Sequence, residues 1–314
     1  MKKMPSGKVF IICNPEAAGG LARKKWKKFQ SQLEANRIQF ECQFTEYPEH
    51  ATEISSALFE RGFRRIAVFG GDGTLNEALQ GVLAEDKVKS QELELIFLGA
   101  GSSCDFEKMF PRKQSLIERL LSKKSFIIDI CKVECQDFNG SPTARYFLVN
   151  SNIGVISLAI QKFDAAKLLV KWLKQISVDA AALTAGLSAL LQFGELLCDI
   201  KIDQEELKEQ RLKNLTVFKC PYFGGGMHYG IKTQPDDGLF YATLIDSVSR
   251  FRLFSMIPAL YTGKIFEKKA AHYKECSSLY LSCHQKVFIE ADGEIIGYPP
   301  AKYSILQKAI KVIV

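Results

Sequence analysis

The chain has 314 residues, of which 47% are hydrophobic and 25% are charged, and its formal net charge is +7. This length allows two domains with complete cores, and the composition excludes a disordered or fibrous chain. The excess of lysine and arginine favours an anionic partner, such as a nucleotide or an acidic lipid surface.

The cysteines and the apolar segments indicate in which cellular compartment the protein is found. The nine cysteines follow no regular spacing, which is typical of reduced thiols rather than of a disulfide framework or a zinc site. The first residues are polar, unlike a signal peptide, and the apolar stretch 180–191 is shorter than the roughly 20 residues that span a bilayer. We therefore expect a cytoplasmic protein whose contact with a membrane, at its inner face, is peripheral.

Strands and helices alternate in the first third of the chain. This βαβ rhythm predicts a doubly wound, mainly parallel sheet with helices on both faces. Because ligands bind at the carboxyl ends of parallel strands, three of the intervening turns should meet at one edge of the sheet. The predicted strands cover 8–13, 39–45, 66–69, 93–98 and 125–133, and the predicted helices cover 21–36, 51–61, the segment after Gly73, and 114–121.

The most informative turn is Gly70–Thr74, which follows an apolar strand and opens an apolar helix. Glycines let the backbone approach a ligand closely, and the free N–H groups at a helix start suit a phosphate. An acidic residue inside such a turn would repel the phosphate. Asp72 therefore indicates either a cation that accompanies a nucleotide or a substrate proton, and the motif points to phosphoryl transfer from a nucleotide.

The pattern changes after Gln136. A turn or short linker at 137–142 leads to a strand at 145–150 and a helical region from about 157 to 193. Lysines on this helical region form a basic face that is either exposed to solvent or a peripheral binding surface for anionic lipid. These lysines are Lys162, Lys167, Lys171 and Lys174.

The last third predicts short strands joined by polar turns, with one helix at about 251–261, and hence an antiparallel, β-rich second domain. Its predicted strands are 196–202, 215–219, 239–245, 279–283, 286–290 and 303–306. Two of its turns, 235–239 and 292–294, taken alone are ordinary Asp-Gly turns. The three consecutive glycines at 224–226 indicate a close approach of the backbone or an unusual turn.

Together these segments resemble the diacylglycerol kinase catalytic-domain family, in particular its soluble bacterial lipid kinases. The resemblance covers nearly the whole chain and rests on motifs in the family's order. The Gly-Gly-Asp-Gly-Thr segment is shared with NAD kinases and phosphofructokinases, whereas its continuation and the three C-terminal motifs favour lipid kinases. The motifs are Asn14-Pro15, 70–77, 101–106, 223–227, 236–239 and 291–294.

The resemblance implies a fold of two domains. An α/β nucleotide-binding domain, similar to that of NAD kinases and phosphofructokinases, would cover 1–136, and a final strand within 303–314 would return to pack on it. A β-rich antiparallel sandwich over 137–302 would bind the lipid substrate.

The resemblance also implies roles for individual residues. Glu294 would be the catalytic base, facing the nucleotide from the second domain, and Asp72 would act at the nucleotide–metal centre. A structural magnesium site near the domain boundary would use Asp237, the carbonyl of Leu239, and Gln234. The nucleotide-binding positions would be Asn14, Pro15, Thr45, Gly70, Gly71, Asp72, Gly73, Thr74, Asn76, Glu77, Ser102, Asp105 and Asp129.

These residue types suit phosphoryl transfer from ATP with Mg²⁺. The reaction needs positioning and charge neutralisation more than covalent help. Carboxylates bind magnesium while several waters remain on the ion, and a base near the acceptor hydroxyl takes its proton. The neighbouring Asp292 could raise the pKa of Glu294 by like-charge repulsion.

The loop 101–108 departs from the family's usual Gly-Thr-Gly-Asn-Asp-Phe-Ala-Arg, since this chain has Gly-Ser-Ser-Cys-Asp-Phe-Glu-Lys there. Ser103 removes a flexible glycine, and Cys104 replaces an amide, so a hydrogen bond is lost or moved. Lys108 keeps the charge of an arginine without its bidentate geometry. These changes bear on nucleotide affinity and specificity, although they remove no carboxylate.

The resulting hypothesis is an ATP-dependent lipid kinase that phosphorylates a lipid hydroxyl, with diacylglycerol or a related lipid as the default acceptor. An NAD kinase is one alternative. A non-catalytic nucleotide- or lipid-binding protein is the other, and the altered loop 101–108 motivates it. The expected partner is a lipid substrate at a membrane surface. Nucleic acid is not expected as a partner, and self-association into a homodimer stays open.

Overall fold

A computed structural model describes residues 9–58, 61–84, 92–110, 114–173 and 178–314, with the side chains of 166–173 and 178–183 outside the description. The strands described are β1 Val9–Cys13, β2 Phe40–Phe44, β3 Arg65–Gly70, β4 Glu94–Gly99, β5 Phe126–Gln136, β6 Pro142–Phe147, β7 Asn150–Gly154, β8 Leu196–Ile202, β9 Glu205–Phe218, β10 Tyr222–Phe223, β11 Met227–His228, β12 Phe240–Asp246, β13 Ala271–Cys276, β14 Ser278–Cys283, β15 Ile289–Ala291 and β16 Glu294–Ile313. The helices described are α1 Leu21–Ala35, α2 His50–Leu58, α3 Asp72–Ala84, α4 Leu116–Leu121, α5 Val155–Leu173, α6 Val178–Gln192 and α7 Arg250–Tyr261, with short 3₁₀ helices at Phe106–Met109 and Ile265–Glu267.

The N-terminal part is a parallel sheet in the order β4-β3-β1-β2. Helices α1 and α4 pack on one face, through side chains such as Trp26 and Leu120. Helices α2 and α3 pack on the other, through side chains such as Ile54 and Leu79. Because both faces are covered, β1 and β3 are buried along their whole length, and apart from Arg65 at the start of β3 their residues are apolar. This arrangement places the carboxyl ends of β1, β3 and β4 side by side.

The C-terminal part is β-rich and antiparallel, as predicted. Strands β7, β9, β8, β14, β16 and β15 pair in a closed ring, each antiparallel to the next. Side chains such as Leu215, Leu279, Ile289 and Tyr303 fill its interior. The ring closes because each of its two long strands has two neighbours in it: β9 pairs with β7 and β8, and β16 pairs with β14 and β15.

Strand β16 connects the two parts. It pairs antiparallel with β15, β14 and β5 along its length, and its last residues, Lys311 to Ile313, pair parallel with Glu94 to Ile96 of β4. A single strand therefore belongs to the antiparallel ring and to the edge of the parallel sheet. Backbone hydrogen bonds along β16 hold the two parts in one relative position.

The observed elements differ from the predicted ones at several places. The predicted strand 145–150 is two strands, β6 and β7, because the N–H groups of Leu148 and Val149 between them donate to the Asp292 carboxylate. The predicted strand 303–306 is part of the long strand β16, whose successive partners are distant in sequence. The helical region predicted over 157–193 is observed as the two helices α5 and α6.

The predicted basic helix face is only partly described. Lys162 Nζ donates to Gln192 Oε1 at 2.7 Å, which joins α5 to α6. Lys174 and the side chains of Lys167 and Lys171 lie outside the described residues. Of the helices in the described ranges, none is long and apolar enough to cross a membrane.

Candidate active site

Two glycine turns cross at the carboxyl ends of β3 and β4. The Gly70 carbonyl accepts from the N–H groups of Ala100 at 2.7 Å and Gly101 at 3.1 Å. A Cβ placed on Gly101 would lie 2.5 Å from the Gly71 Cα, a backbone atom that has no room to move. The second turn therefore requires glycine at position 101, where it approaches the first.

The start of α3 is open and suited to a phosphate. A Cβ placed on Gly73 would meet no atom within 4 Å. The first N–H groups of a helix have no partner within the helix, and the helix dipole is positive there. Asn14 Nδ2 donates to Thr74 Oγ1 at 2.9 Å and so ties the end of β1 to this turn. An open helix start of this kind suits an anionic group such as a phosphate.

The remaining predicted residues on this edge lie in the neighbouring turns. Pro15 follows Asn14 directly and is half-buried, and the Thr45 N–H, just after β2, donates to the Cys13 carbonyl at 2.9 Å. Ser102 follows Gly101 and is exposed. The chain order of the strand ends thus puts Asn14, Thr45 and Ser102 on the same edge as the Gly70–Thr74 turn.

Asp72 holds the loop 101–108 in place. Its carboxylate accepts from the backbone N–H groups of Asp105 at 2.8 Å and Phe106 at 3.2 Å. Burial raises the pKa of Asp72, against the effect of these bonds. Cys104 has φ of 46° in this loop, a left-handed conformation that Asn tolerates better than most residues. The carboxylate predicted to face the nucleotide side is thus also a structural anchor of the altered loop.

Asp105 connects this loop to the glycine turn of the C-terminal part. One of its oxygens accepts from Lys108 Nζ at 2.5 Å and the other from the Gly225 N–H at 3.0 Å. Lys108 Nζ also donates to the Gly225 carbonyl at 3.1 Å. The turn 224–226 therefore docks on the loop 101–108 through a buried carboxylate and the lysine that replaces the family's arginine.

The 292–294 motif meets α3 from the opposite side. Asn76 Nδ2 donates to Asp292 Oδ2 at 2.8 Å and to the Tyr146 carbonyl at 2.9 Å. The Asp292 carboxylate also accepts three backbone N–H groups, those of residues 148–150. Burial nevertheless raises the pKa of Asp292 to about 6. Asn76, which was predicted to bind the nucleotide, is thus buried, and it joins α3 to the 292–294 turn, 216 positions further along the chain.

Glu294 lies beside Asp292 in a group of charged side chains. Arg145 Nη2 donates to Glu294 Oε2 at 2.5 Å and contacts Glu49 Oε1 at 3.0 Å. The Glu294 side chain is 40% exposed. Burial raises its pKa to about 7, while Arg145 lowers it, and Glu49 and Glu77 contribute more to the rise than Asp292 does. The like-charge effect expected from Asp292 is therefore a minor part of the shift, and the carboxyl titrates where a general base is effective.

Glu77 belongs to the same group. Its carboxylate accepts from the Ala51 N–H at 3.3 Å, at the start of α2, where the helix dipole stabilises a negative charge. Burial raises its pKa. Of these two predicted nucleotide-binding residues, Glu77 thus contacts the start of α2, whereas Asn76 contacts Asp292 and the Tyr146 carbonyl.

Asp129, Asp237 and Leu239 surround a buried lysine that the sequence interpretation did not include. Lys219 Nζ lies 3.1 Å from Asp129 Oδ2, 2.6 Å from Asp237 Oδ1 and 2.6 Å from the Leu239 carbonyl oxygen. Two of the three predicted magnesium ligands thus contact an ammonium group. The third, Gln234, has an exposed side chain.

The carboxylates present do not fit a magnesium ion held mainly by the protein. Within the described ranges, no group of three or more His, Cys, Asp or Glu side chains could hold a metal ion. Asp72, Asp105 and Asp129 each accept hydrogen bonds from the chain itself. An Mg²⁺ ion that arrives with a nucleotide would keep phosphate and water oxygens as most of its ligands.

Sequence reasoning missed three buried or half-buried charged residues. Lys219 directly follows the buried residues 215–218, and Glu290 lies between Ile289 and Ala291, so a charge beside or within a buried strand was the available signal. Burial raises the pKa of Glu290 to about 8, although it accepts from Asn152 and the Gly293 N–H. Arg145 gave no such signal, because β6 alternates between half-buried and exposed positions.

Two family models match the chain. Residues 8–133 match the diacylglycerol kinase catalytic domain, and residues 162–314 match the YegS C-terminal NAD kinase beta sandwich-like domain. The chain belongs to the diacylglycerol kinase catalytic-domain family. Membership of this kinase family implies the use of ATP.

Curated relatives of the family match over almost their whole length. The chain is 23% identical over 312 residues to the "Putative lipid kinase YtlR" of Bacillus subtilis, covering 96% of this chain and 98% of the relative. It is 23% identical over 304 residues to a diacylglycerol kinase of Staphylococcus saprophyticus, covering 96% of this chain and 93% of that one.

Solved structures share the fold. A diacylglycerol kinase from Bacillus anthracis superposes with a TM-score of 0.69 at 19% identity, covering 99% of this chain and 98% of that chain. Yeast NADH kinase superposes with a TM-score of 0.55 at 10% identity, covering 98% of this chain and 83% of that chain. The NAD kinase fold is therefore a more distant relation of this one.

Proposed function

We propose that this chain transfers the γ-phosphoryl group of ATP to a lipid hydroxyl, with diacylglycerol or a related lipid as acceptor and Mg²⁺ as the ion that accompanies the nucleotide. The observation that carries the proposal is the position and ionisation of Glu294. This carboxyl comes from the C-terminal part and has a pKa of about 7. It belongs to the 292–294 motif, which is hydrogen-bonded to α3, the helix that starts in the Gly70–Thr74 turn.

The phosphate side supports this reaction. The open helix start at Gly73 offers backbone N–H groups without charge of their own, and Asn14 fixes the Thr74 hydroxyl beside it. Such a site positions phosphates and neutralises part of their charge. Phosphoryl transfer needs little more from the protein than this positioning and electrostatic support.

The base side supports it as well. Arg145 binds Oε2 of Glu294, and Oε1 has no hydrogen-bond donor in the part of the chain that is described. Oε1 can therefore take the proton of an acceptor hydroxyl while that hydroxyl oxygen attacks the γ-phosphorus and ADP leaves. Arg145 orients the carboxylate and keeps enough of it ionised for this step at neutral pH.

Helix α7 supports a peripheral contact with a membrane. Phe251 is 91% exposed and Phe254 is also exposed, and both are flanked by the exposed side chains of Arg250 and Arg252. Aromatic and cationic side chains on one helix suit an anionic lipid surface. Tyr261, at the end of α7, lies next to Gly226 in the turn that docks on Asp105. A lipid would thus approach near the candidate active site.

The test is a transfer assay with labelled ATP, Mg²⁺ and vesicles that carry diacylglycerol or other lipids with a free hydroxyl, with NAD assayed in parallel. We expect label in a lipid, and Glu294→Gln should lower turnover by about 10²–10⁴-fold without loss of folding. Glu206→Gln, an exposed partner of Lys201, is the matched control and should have no effect. Phe251→Ser with Phe254→Ser should lower turnover on vesicles more than on a dispersed short-chain lipid.

Two results would contradict the proposal. Label in NAD with none in lipid would identify an NAD kinase, and binding of ATP without any transfer would identify a binding protein. Asp72→Ala is the poorer variant for this purpose, because Asp72 also holds the loop 101–108.

A further inference from the structure

A buried ammonium group lies at the centre of the Asp129, Asp237 and Leu239 oxygens. Lys219 is 3% exposed, and its Nζ is within 3.1 Å of one oxygen from each of these three residues. An ammonium group has three donors and no acceptor capacity, so all of its hydrogen bonds are satisfied here. Lys219 therefore forms one hydrogen-bonded cluster with Asp129, Asp237 and Leu239.

The oxygens around Lys219 are held in place independently of it. Asp129 Oδ2 also accepts from the Gly238 N–H at 2.7 Å, and Asp237 Oδ1 accepts from the Leu239 N–H at 3.0 Å. The Asp129 N–H donates to the Pro235 carbonyl at 2.7 Å. The loop 235–239 is thus fastened to β5, with two carboxylates and one carbonyl directed at one point.

Two carboxylates and a backbone carbonyl are also the ligands that a hard divalent cation prefers. A magnesium ion would need to lie about 2.1 Å from such oxygens, yet Lys219 Nζ already lies 2.6 Å from two of them. The ion and the ammonium group cannot share this space, and their charges repel. The residues present therefore do not fit the structural magnesium site that the sequence resemblance implies at Asp237 and Leu239.

We propose that the Lys219 ammonium replaces a structural divalent cation in this chain, so that the loop 235–239 is held by a cation that is covalently part of the fold. The stability of this region is then independent of Mg²⁺ and Ca²⁺. The proposal concerns the fold of the C-terminal part and does not depend on which acceptor is phosphorylated.

Thermal unfolding without nucleotide tests the proposal. The midpoint of the unmodified protein should be the same in EDTA and in millimolar Mg²⁺ or Ca²⁺. Lys219→Ser leaves two carboxylates without their cation and should lower the midpoint in EDTA by about 10 °C. Divalent ions should restore most of this loss, because the serine opens the space, and Asp237→Asn in the same protein should abolish the restoration.

Lys213→Ser is the matched control, since Lys213 is a buried lysine on β9, the strand that ends just before Lys219, and its Nζ donates to the Gly194 carbonyl. It should lower the midpoint without any response to metal. Direct titration with Mn²⁺ should find one more bound ion in Lys219→Ser than in the unmodified protein.

Two results would overturn the proposal. One is a folded Lys219→Ser protein that divalent ions do not stabilise. The other needs no lysine variant and decides the matter even if Lys219→Ser does not fold: stabilisation of the unmodified protein by Mg²⁺ or Ca²⁺ that Asp237→Asn removes.

Discussion

The ionisation of Glu294, the candidate base, depends on a few individual side chains around it. Burial raises the pKa of Glu294 to about 7, and Arg145 limits that rise. The same arginine contacts Glu49, so it balances the carboxylates on both sides of it. A base must be deprotonated to act, and activity should therefore increase as the pH rises through about 7.

Arg145→Met should move the rising limb of the pH–rate profile to higher pH, by about one unit. The physical reason is that the variant loses the charge that favours the ionised form of Glu294. The measurement is kcat/KM against pH for the unmodified protein and the variant. Arg61→Met, at an exposed ion pair with Glu41, is the control. An unchanged limb would show that another group controls the profile.

At the scale of elements, the candidate site depends on two turns that approach within backbone contact. Gly71 and Gly101 come from successive strand ends, and at their crossing Gly101 has no room for a side chain, because its Cβ would lie 2.5 Å from the Gly71 Cα. Gly73 lies two residues further on and is open. The same residue type thus serves packing at one position and access at another.

Gly101→Ala should destabilise the protein by about 1–3 kcal/mol, because its methyl group would press on the Gly71 backbone. Gly73→Ala should leave the unfolding midpoint unchanged and raise KM for ATP by about tenfold, because its methyl group would enter the space proposed for the phosphates. Chemical denaturation and steady-state kinetics separate the two effects. A Gly73→Ala protein with unchanged KM would place the nucleotide elsewhere.

At the scale of the whole molecule, β16 makes the two parts one structure. Its Ile310 is 1% exposed and packs in the core of the N-terminal part, while earlier residues of the same strand line the antiparallel ring. Contacts between α3 and Asp292, and between Asp105 and Gly225, add to this connection.

Ile310→Ala should therefore lower the free energy of unfolding by about 2–5 kcal/mol in a single transition that includes both parts. Ile127→Ala, in the strand that pairs with β16 but 45% exposed, should cost less than about 1 kcal/mol. Far- and near-ultraviolet circular dichroism in a urea series would measure both. Separate transitions, of which only one shifts, would contradict this account.

The sequence by itself determined the family, the main elements of the first third and the 292–294 hairpin turn, because glycine turns and apolar periodicity are local signals. It did not predict that β6 and β7 are separate strands, since that break depends on the Asp292 carboxylate from 144 positions away. It also could not place Lys219 among Asp129, Asp237 and Leu239. Charges that are far apart in sequence meet only when strands pair, so the tertiary structure alone decided how Glu294 ionises and which cation holds the loop 235–239.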